Sequence, residues 1–393
     1  MIKYEKINSS LNEFTEKEKD NLIDKILLSK YKLIKKLGKG SFGNVYLCKD
    51  ITSNEFSAAK LQNKSNNINM LENEYKIMKN IIIDKIPSVK QYGSNNIYNI
   101  LIMQLLGKSL EQIFEQILHK EKMSLRCICN ISLQIIDILE QIHNKNYIHR
   151  DIKPSNFLFG NDDSNNNILY LIDFGLAKKY REDNNSKHYE IKQGKKLIGT
   201  VRFASINAME GISQSRRDDL ESMGYMLIYF LKGRLPWQDF MIKNKEERYS
   251  KIKQRKKNID IKELCCDCPD ELVQYITYVK NLKYDEEPNY IYIKNLFHII
   301  LHKSGNKFDY FYDWDNTKVV IDLNLYNDYF EDENNLNLPL DKIVYRKKVR
   351  KKRNKSQDKS TNIEGVENDE INDNDNDSEQ IIFQKNNACC IVV

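Results

Sequence analysis

Polar residues crowd into one stretch of this chain, His149-Arg150-Asp151-Ile152-Lys153-Pro154-Ser155-Asn156. A second polar triplet, Asp173-Phe174-Gly175, closes the apolar run Ile168-Leu169-Tyr170-Leu171-Ile172. If the fold brings the two stretches together, two acids, a Lys and an Asn share one site. Asp151 then suits a base that orients a hydroxyl. Asn156 and Asp173 offer the hard oxygens that magnesium prefers. Such a set fits transfer of a phosphoryl group to a hydroxyl, a reaction in which a protein mainly positions groups and neutralises charge.

The phosphate donor needs its own equipment, and the chain supplies it upstream. Leu37-Gly38-Lys39-Gly40-Ser41-Phe42-Gly43-Asn44-Val45 fits G-x-G-x-x-G-x-V between two strands. Glycines there let backbone amides approach phosphates closely, and Val45 can cover an adenine ring. A dinucleotide site would need a helix directly after the glycines. Here Val45-Tyr46-Leu47-Cys48 continues as strand, which disfavours that alternative. Phe56-Ser57-Ala58-Ala59-Lys60 reads as a short strand ending in a Lys. The spacing of Leu71, Glu74, Ile77 and Met78 predicts a helix over 70–83 with all four on one face. An acid on an otherwise apolar face wants a cationic partner. Lys60 is the candidate, and the pair would align it with the α- and β-phosphates.

The elements that hold these residues are legible as patterns. Tyr98 to Leu106 reads as a strand ending at Gly107, and 108–143 as two amphipathic helices split near Lys122. The second, Leu125 to His143, leads straight into the polar stretch. Residues 161–167 read as a hairpin tip between Asn156 and Asp173. At the start, Leu22, Ile23, Ile26, Leu27 and Leu28 suggest a short helix packed on the outside of the domain that begins at Tyr31. Asn-rich runs such as Ser65-Asn66-Asn67 read as loop insertions.

Composition excludes little. With 393 residues, 40% of them hydrophobic and 30% charged, the chain can build a sizeable core. The 62 basic and 56 acidic residues nearly cancel, so bulk charge argues for no particular partner. Neither a secretory signal nor an apolar run long enough to span a membrane is expected. The eight Cys are then expected to be reduced thiols, as in the cytoplasm. Cys265-Cys266-Asp267-Cys268 lacks the spacing of a zinc site and reads as structural or exposed thiols.

Several longer stretches add a resemblance. They are Met103-Gln104-Leu105-Leu106-Gly107-Lys108-Ser109-Leu110, Asp173-Phe174-Gly175-Leu176-Ala177-Lys178-Lys179-Tyr180 and Gly199-Thr200-Val201-Arg202-Phe203-Ala204-Ser205-Ile206-Asn207. Gln214 to Tyr225 and Leu235-Pro236-Trp237-Gln238 continue the match. With His149–Asn156 and Asp173–Gly175, the chain resembles a Ser/Thr protein kinase of the casein kinase 1 family over roughly residues 31–316. Ser205-Ile206-Asn207 stands where most kinases carry Ala-Pro-Glu, and that substitution marks the family.

The resemblance implies an α+β, two-lobed fold: a small antiparallel β-sheet lobe with one helix over 31–107, and a larger, mainly helical lobe over 108–316. It implies ATP and Mg2+ as cofactors. Lys60 would hold the α- and β-phosphates, Glu74 would hold Lys60, and Lys153 would steady the γ-phosphate. Leu37, Val45, Ala58, Met103, Leu158 and Ile172 would sandwich the adenine, with the backbone around Leu106 bonding its edge. The family favours Ser or Thr downstream of acidic or already phosphorylated residues, so protein substrates with such motifs are the expected partners. Arg202 and Arg248 fall in the family's anion pocket, and Lys195 adds positive charge nearby. Asp239 replaces a Gly there, and a carboxylate beside a phosphate site would weaken it. Ser186 is the one Ser or Thr between Leu176 and Ile198, so activity without phosphorylation of that segment is expected.

Residues 1–30 are read as an N-terminal extension and 317–345 as a C-terminal extension packed on the large lobe. Beyond them composition breaks. Arg346-Lys347-Lys348-Val349-Arg350-Lys351-Lys352-Arg353 is basic at every position but Val349, and Asp and Glu dominate 358–379. Such a tail, 346–393, is expected to be disordered. Its basic block suits a nuclear address, a nucleic-acid patch or an anionic membrane surface. The last residues, Ala388-Cys389-Cys390-Ile391-Val392-Val393, place Cys390 in a C-a-a-X frame for prenylation, while Cys389 or both Cys suit palmitoylation. Membrane association through that lipid is expected of an otherwise cytoplasmic monomer. A nucleic-acid-binding protein would show affinity that falls steeply with salt, and nucleic acid is not the expected partner. A catalytically dead scaffold would be expected to lack Lys60, Asp151, Asn156 or Asp173, and all are present.

Overall fold

A computed structural model describes residues 22–40, 43–65, 69–183, 187–238 and 240–315. Ser41, Phe42, Ser186, Asp239, Cys389, Cys390, the basic block 346–353 and the extension 317–345 lie outside the described residues.

The first part of the chain is a six-stranded antiparallel sheet in the order β1-β2-β3-β4-β6-β5. Its strands are β1 Ile26–Leu27, β2 Tyr31–Gly40, β3 Gly43–Asp50, β4 Phe56–Asn63, β5 Val89–Ser94 and β6 Tyr98–Met103. Side chains alternate across a strand, and here the two faces have different fates. Leu33, Tyr46, Cys48, Ala59, Leu61, Ile100 and Ile102 form an outer cluster with Leu22 and Leu27. Ile34, Leu47, Ala58, Leu101 and Met103 face inward. There they meet Leu71, Ile77 and Met78 of helix α1, Met70–Asn80, in a core that runs on into the second lobe. Lys60 lies opposite Val45 and Leu101 in the ladder, so its side chain points to that inner face.

The helix expected around Leu22–Leu28 is a strand instead. Positive φ at Asp24, Leu28 and Ser29 prevents a helical turn. Asp24 N donates to Leu33 O and Leu33 N to Lys25 O, and Leu27 faces Tyr31. The segment thereby covers the free edge of β2. Leu22 and Leu27 seal the outer cluster while Ile26 stays 53% exposed.

The second lobe is mainly helical. Its helices are α2 Leu110–Gln112, α3 Leu125–Asn144, α4 Ile206–Met209, α5 Arg216–Lys232, α6 Lys245–Asn258, α7 Ile261–Leu264, α8 Asp270–Asn281 and α9 Tyr290–Lys303. The helix expected before Lys122 is short and continues as a π-turn over Ile113–Ile117. α3 begins at an N-cap, Ser124, and is buried along most of its length. It ends beside β7, Tyr147–Ile148, which pairs with β10, Lys178–Lys179. β8, Phe157–Phe159, and β9, Leu169–Leu171, form the expected hairpin between Asn156 and Asp173. Residues 306–315 strap this arrangement from below. Tyr312 and Trp314 pack edge-on against Phe159, and Asp309 pairs with Arg126 and accepts from Asn130.

Candidate active site

β2 and β3 run antiparallel, with Gly40 opposite Gly43 across the ladder. A Cβ on Gly43 would stand 2.1 Å from the Leu61 carbonyl oxygen, so only glycine allows β3 this close to β4. Around Gly38 there is open space within 4 Å of an added Cβ, and at Gly40 such a Cβ would be 3.9 Å from Lys60 Cε. Gly40 therefore stands close to Lys60, and Lys39 pairs with Asn44 in the same ladder. Leu37 and Val45 pack against the inner core beneath it.

Lys60 is buried, and its ammonium has two carboxylates in contact. Nζ donates to Glu74 Oε2 at 2.6 Å and to Asp173 Oδ1 at 2.8 Å. Burial works against the Lys60 charge, but Asp173 and Glu74 outweigh it and raise its proton affinity. Burial pushes the Glu74 carboxyl up to about 7, with Lys60 opposing. For Asp173, Lys60 overcomes burial and keeps the carboxyl below its ordinary range. Three residues far apart in sequence thus meet at one point. Asp173 sits at φ 67, a left-handed conformation uncommon for a residue other than glycine.

The catalytic-type loop is held from behind. Asp219, on α5, accepts the backbone N–H groups of His149 and Arg150, both at 2.8 Å. Its carboxylate also contacts His143 Nε2 at 3.0 Å, while His143 Nδ1 lies 2.6 Å from the Tyr290 hydroxyl. Burial lowers the His143 pKa, and on Asp219 the His143 contact outweighs burial and lowers it too. Asp219 fixes Arg150 in a second left-handed conformation, φ 69. His149 links the two catalytic segments. Its Nδ1 accepts the Asp151 N–H and its Nε2 donates to the Ile172 carbonyl, an assignment the hydrogen bonds dictate. Its ring packs edge-on against Phe174.

Asp151 stands at the centre, 5% exposed. Thr200 Oγ1 donates to its Oδ1 at 2.7 Å, and Lys153 Nζ pairs with its Oδ2 at 2.7 Å. Asn156 Nδ2 donates to the Asp151 carbonyl at 2.8 Å. Spending its N–H groups there leaves the Asn156 side-chain oxygen for another partner. Lys60 occupies one oxygen of Asp173 and leaves the second. Two hard oxygen donors facing one cleft suit a divalent ion of the magnesium kind, so Asn156 and Asp173 fit the metal expected at this place.

The apolar residues expected around a purine are at the inner face and its continuation. Ala58 pairs with Met103 across the ladder, and both are buried. Leu106 is buried, while Leu158 and Ile172 are half-buried on the segments that carry Asn156 and Asp173. The Gly107 N–H bonds the Phe159 carbonyl, which ties the inter-lobe connection to β8.

The three cations expected in an anion pocket stand in different surroundings. The Arg202 guanidinium lies 5.7 Å from the Phe203 and Tyr229 ring centroids. Arg248 is on the first turn of α6, its N–H bonded to the Asn244 carbonyl. Lys195 is exposed, its N–H bonded to the Gly211 carbonyl. Lys195, Arg150 and Lys192 all act on Lys178, whose pKa falls through burial first and these charges next.

Three contributors escape sequence reasoning. Asp219 lies within the stretch that carries the family resemblance, but its grip on His149 and Arg150 spans distant chain positions. Thr200 likewise shows no spacing signal toward Asp151. Gly199 has φ +100, and a Cβ there would stand 2.4 Å from the Arg150 carbonyl oxygen. Like Thr200, it lies in a stretch that carries the family resemblance, but nothing in its spacing points to Arg150.

A family model described as the protein kinase domain matches residues 31–290, well over half of the 393 residues. The glycine-rich stretch, the Lys60 pair, Asp151 and Asp173 all fall inside the match. With its antiparallel sheet lobe and helical lobe, the chain belongs to the protein kinase domain family, phosphotransferases that use ATP and a divalent metal ion.

Proposed function

We propose that the protein is a Ser/Thr kinase of casein kinase 1 type that phosphorylates acidic or phosphate-primed protein sites. The observation that carries this reading is the crowding of Asp151. Thr200 and Lys153 each take one of its oxygens at 2.7 Å, so the carboxylate is held in place for an incoming hydroxyl. In the proposed reaction Asp151 orients the Ser or Thr hydroxyl and accepts its proton as the oxygen attacks the γ-phosphorus. The β–γ bridging bond breaks and ADP leaves with the electron pair. Lys60, held by Glu74, takes the α- and β-phosphates, and Lys153 steadies the transferring group. Mg2+ supplies charge neutralisation at Asn156 and Asp173. No repositioning is required, because Lys60 already contacts both Glu74 and Asp173.

The preference for acidic or primed sites rests on Arg202. Two residues after Thr200, its guanidinium lies against two rings and forms no ion pair among the described residues, which leaves its charge for an incoming anion. Arg248 and Lys195 are the further cations of this reading. Casein phosphorylation by the wild type and its loss in Asp151→Asn test the activity. Peptides with and without a phosphoserine three residues upstream of the acceptor test the preference. Equal kcat/KM for the two would refute priming.

A further inference from the structure

Residues 199–205 carry Thr200 and Arg202, yet form a turn rather than a helix or strand before α4. Their backbone groups must therefore find partners without a regular ladder. Within the turn the Phe203 and Ala204 N–H groups bond the Thr200 carbonyl, and side chains from outside the segment pair further groups. Lys256, on α6, is fully buried and donates from Nζ to the Val201 carbonyl at 3.0 Å and to the Ala204 carbonyl at 2.6 Å. Trp237 Nε1 donates to the Arg202 carbonyl at 2.8 Å. Glu221, on α5, accepts the Ile206 N–H at 3.0 Å and the Tyr225 hydroxyl at 2.6 Å.

A fully buried lysine is costly, and an apolar residue of similar volume would fill the space at less cost. Lys256 forms no ion pair among the described residues. Its ammonium is accommodated by the two carbonyls and by the Tyr225 and Trp237 rings, each 4.8 Å away. Burial lowers its proton affinity, and the Glu221 charge counters that. What the ammonium adds over an apolar side chain is two donors aimed at one turn, at the residues directly after Thr200 and directly before Ser205.

We propose that Lys256 is a positioning residue for the protein substrate: by clamping the turn at Val201 and Ala204, it fixes Thr200 and Arg202 relative to Asp151. This rests on the reading that residues 199–206 face the protein substrate. Trp237 holds the middle of the same turn and Glu221 its end.

Lys256→Met keeps most of the volume and removes the donors. Its KM for a peptide substrate should rise about tenfold, since two hydrogen bonds to the turn are lost. Its KM for ATP should stay within about twofold, because the nucleotide site is untouched. Amide exchange over 200–206 should quicken while that of β2 and β3 stays as in the wild type. Trp237→Phe, which keeps a ring and removes one donor, should shift the same quantities in the same direction by less; if Lys256→Met does not fold, this variant decides. An unchanged peptide KM, or an ATP KM that rises in parallel, would overturn the proposal. So would unaltered exchange over 200–206. A wild type that phosphorylates no peptide would sink the substrate reading instead, and the exchange measurement would then decide the clamp by itself.

Discussion

The Thr200 hydroxyl donates to Asp151 Oδ1 at 2.7 Å. One oxygen of the proposed base is thereby held, and its orientation depends on a segment that also meets the substrate. Thr200→Val is nearly isosteric and removes the donor. It is expected to lower kcat about tenfold or more, the usual worth of a hydrogen bond to a charged group. Thr200→Ser keeps the hydroxyl and should retain most of the activity. Steady-state kinetics on both variants check this, and a Val variant with wild-type kcat would show that Asp151 needs no such support.

Lys60, Glu74 and Asp173 form one buried group, so their contributions cannot add independently. Lys60→Met and Glu74→Gln should each reduce kcat strongly, and the double variant should be little worse than Lys60→Met alone. A double-mutant cycle on kcat/KM reads the coupling, expected to be on the order of 1 kcal/mol or more. Additive losses would mean that Glu74 acts on something other than Lys60.

Asp219 accepts two backbone N–H groups of the loop that bears Asp151. Asp219→Ala leaves those donors and His143 Nε2 unpaired in a buried site. Breaking such a buried network costs about 3–5 kcal/mol. The expected result is a clear fall in Tm together with reduced kcat. Unchanged unfolding in urea would contradict it.

How much of the fold and site is legible in the sequence depends on whether the signal is local. Lys60 and Glu74 can be paired because an acid on the apolar face of α1 needs a cation, and the contact is there at 2.6 Å. The β8–β9 hairpin is readable from a β-branched run and an Asn-rich tip. The Leu22–Leu28 stretch misleads because a few apolar residues fit both a short helix and a strand; the free edge of β2 decides between them. Asp219, Thr200 and Lys256 act through contacts between distant chain positions, and a side chain that bonds a remote backbone leaves no spacing pattern. The strap at Tyr312 and Trp314 lies past the family match, and its target, Phe159, is known only once the hairpin is built.

Asp218, next to Asp219, gives a pH signature. Its Oδ1 accepts the Ser205 hydroxyl at 2.6 Å and its Oδ2 the Ser215 N–H at 2.7 Å. Burial pushes its carboxyl from the ordinary 3.8 up to about 7, with Glu221 adding to the rise and the two serines opposing it. Between those values the folded chain keeps a proton that the unfolded chain has released, so stability falls as pH rises. Its stabilising contribution is thus complete below 3.8 and lost above about 7. The loss is expected to be on the order of a few kcal/mol. Asp218→Asn cannot titrate and should flatten this part of the profile, even if it is less stable at every pH because one acceptor has become a donor. Urea unfolding across the window reads both slopes. Parallel profiles for wild type and variant would show that Asp218 is ionised throughout and that Ser205 and Ser215 suffice to hold its charge.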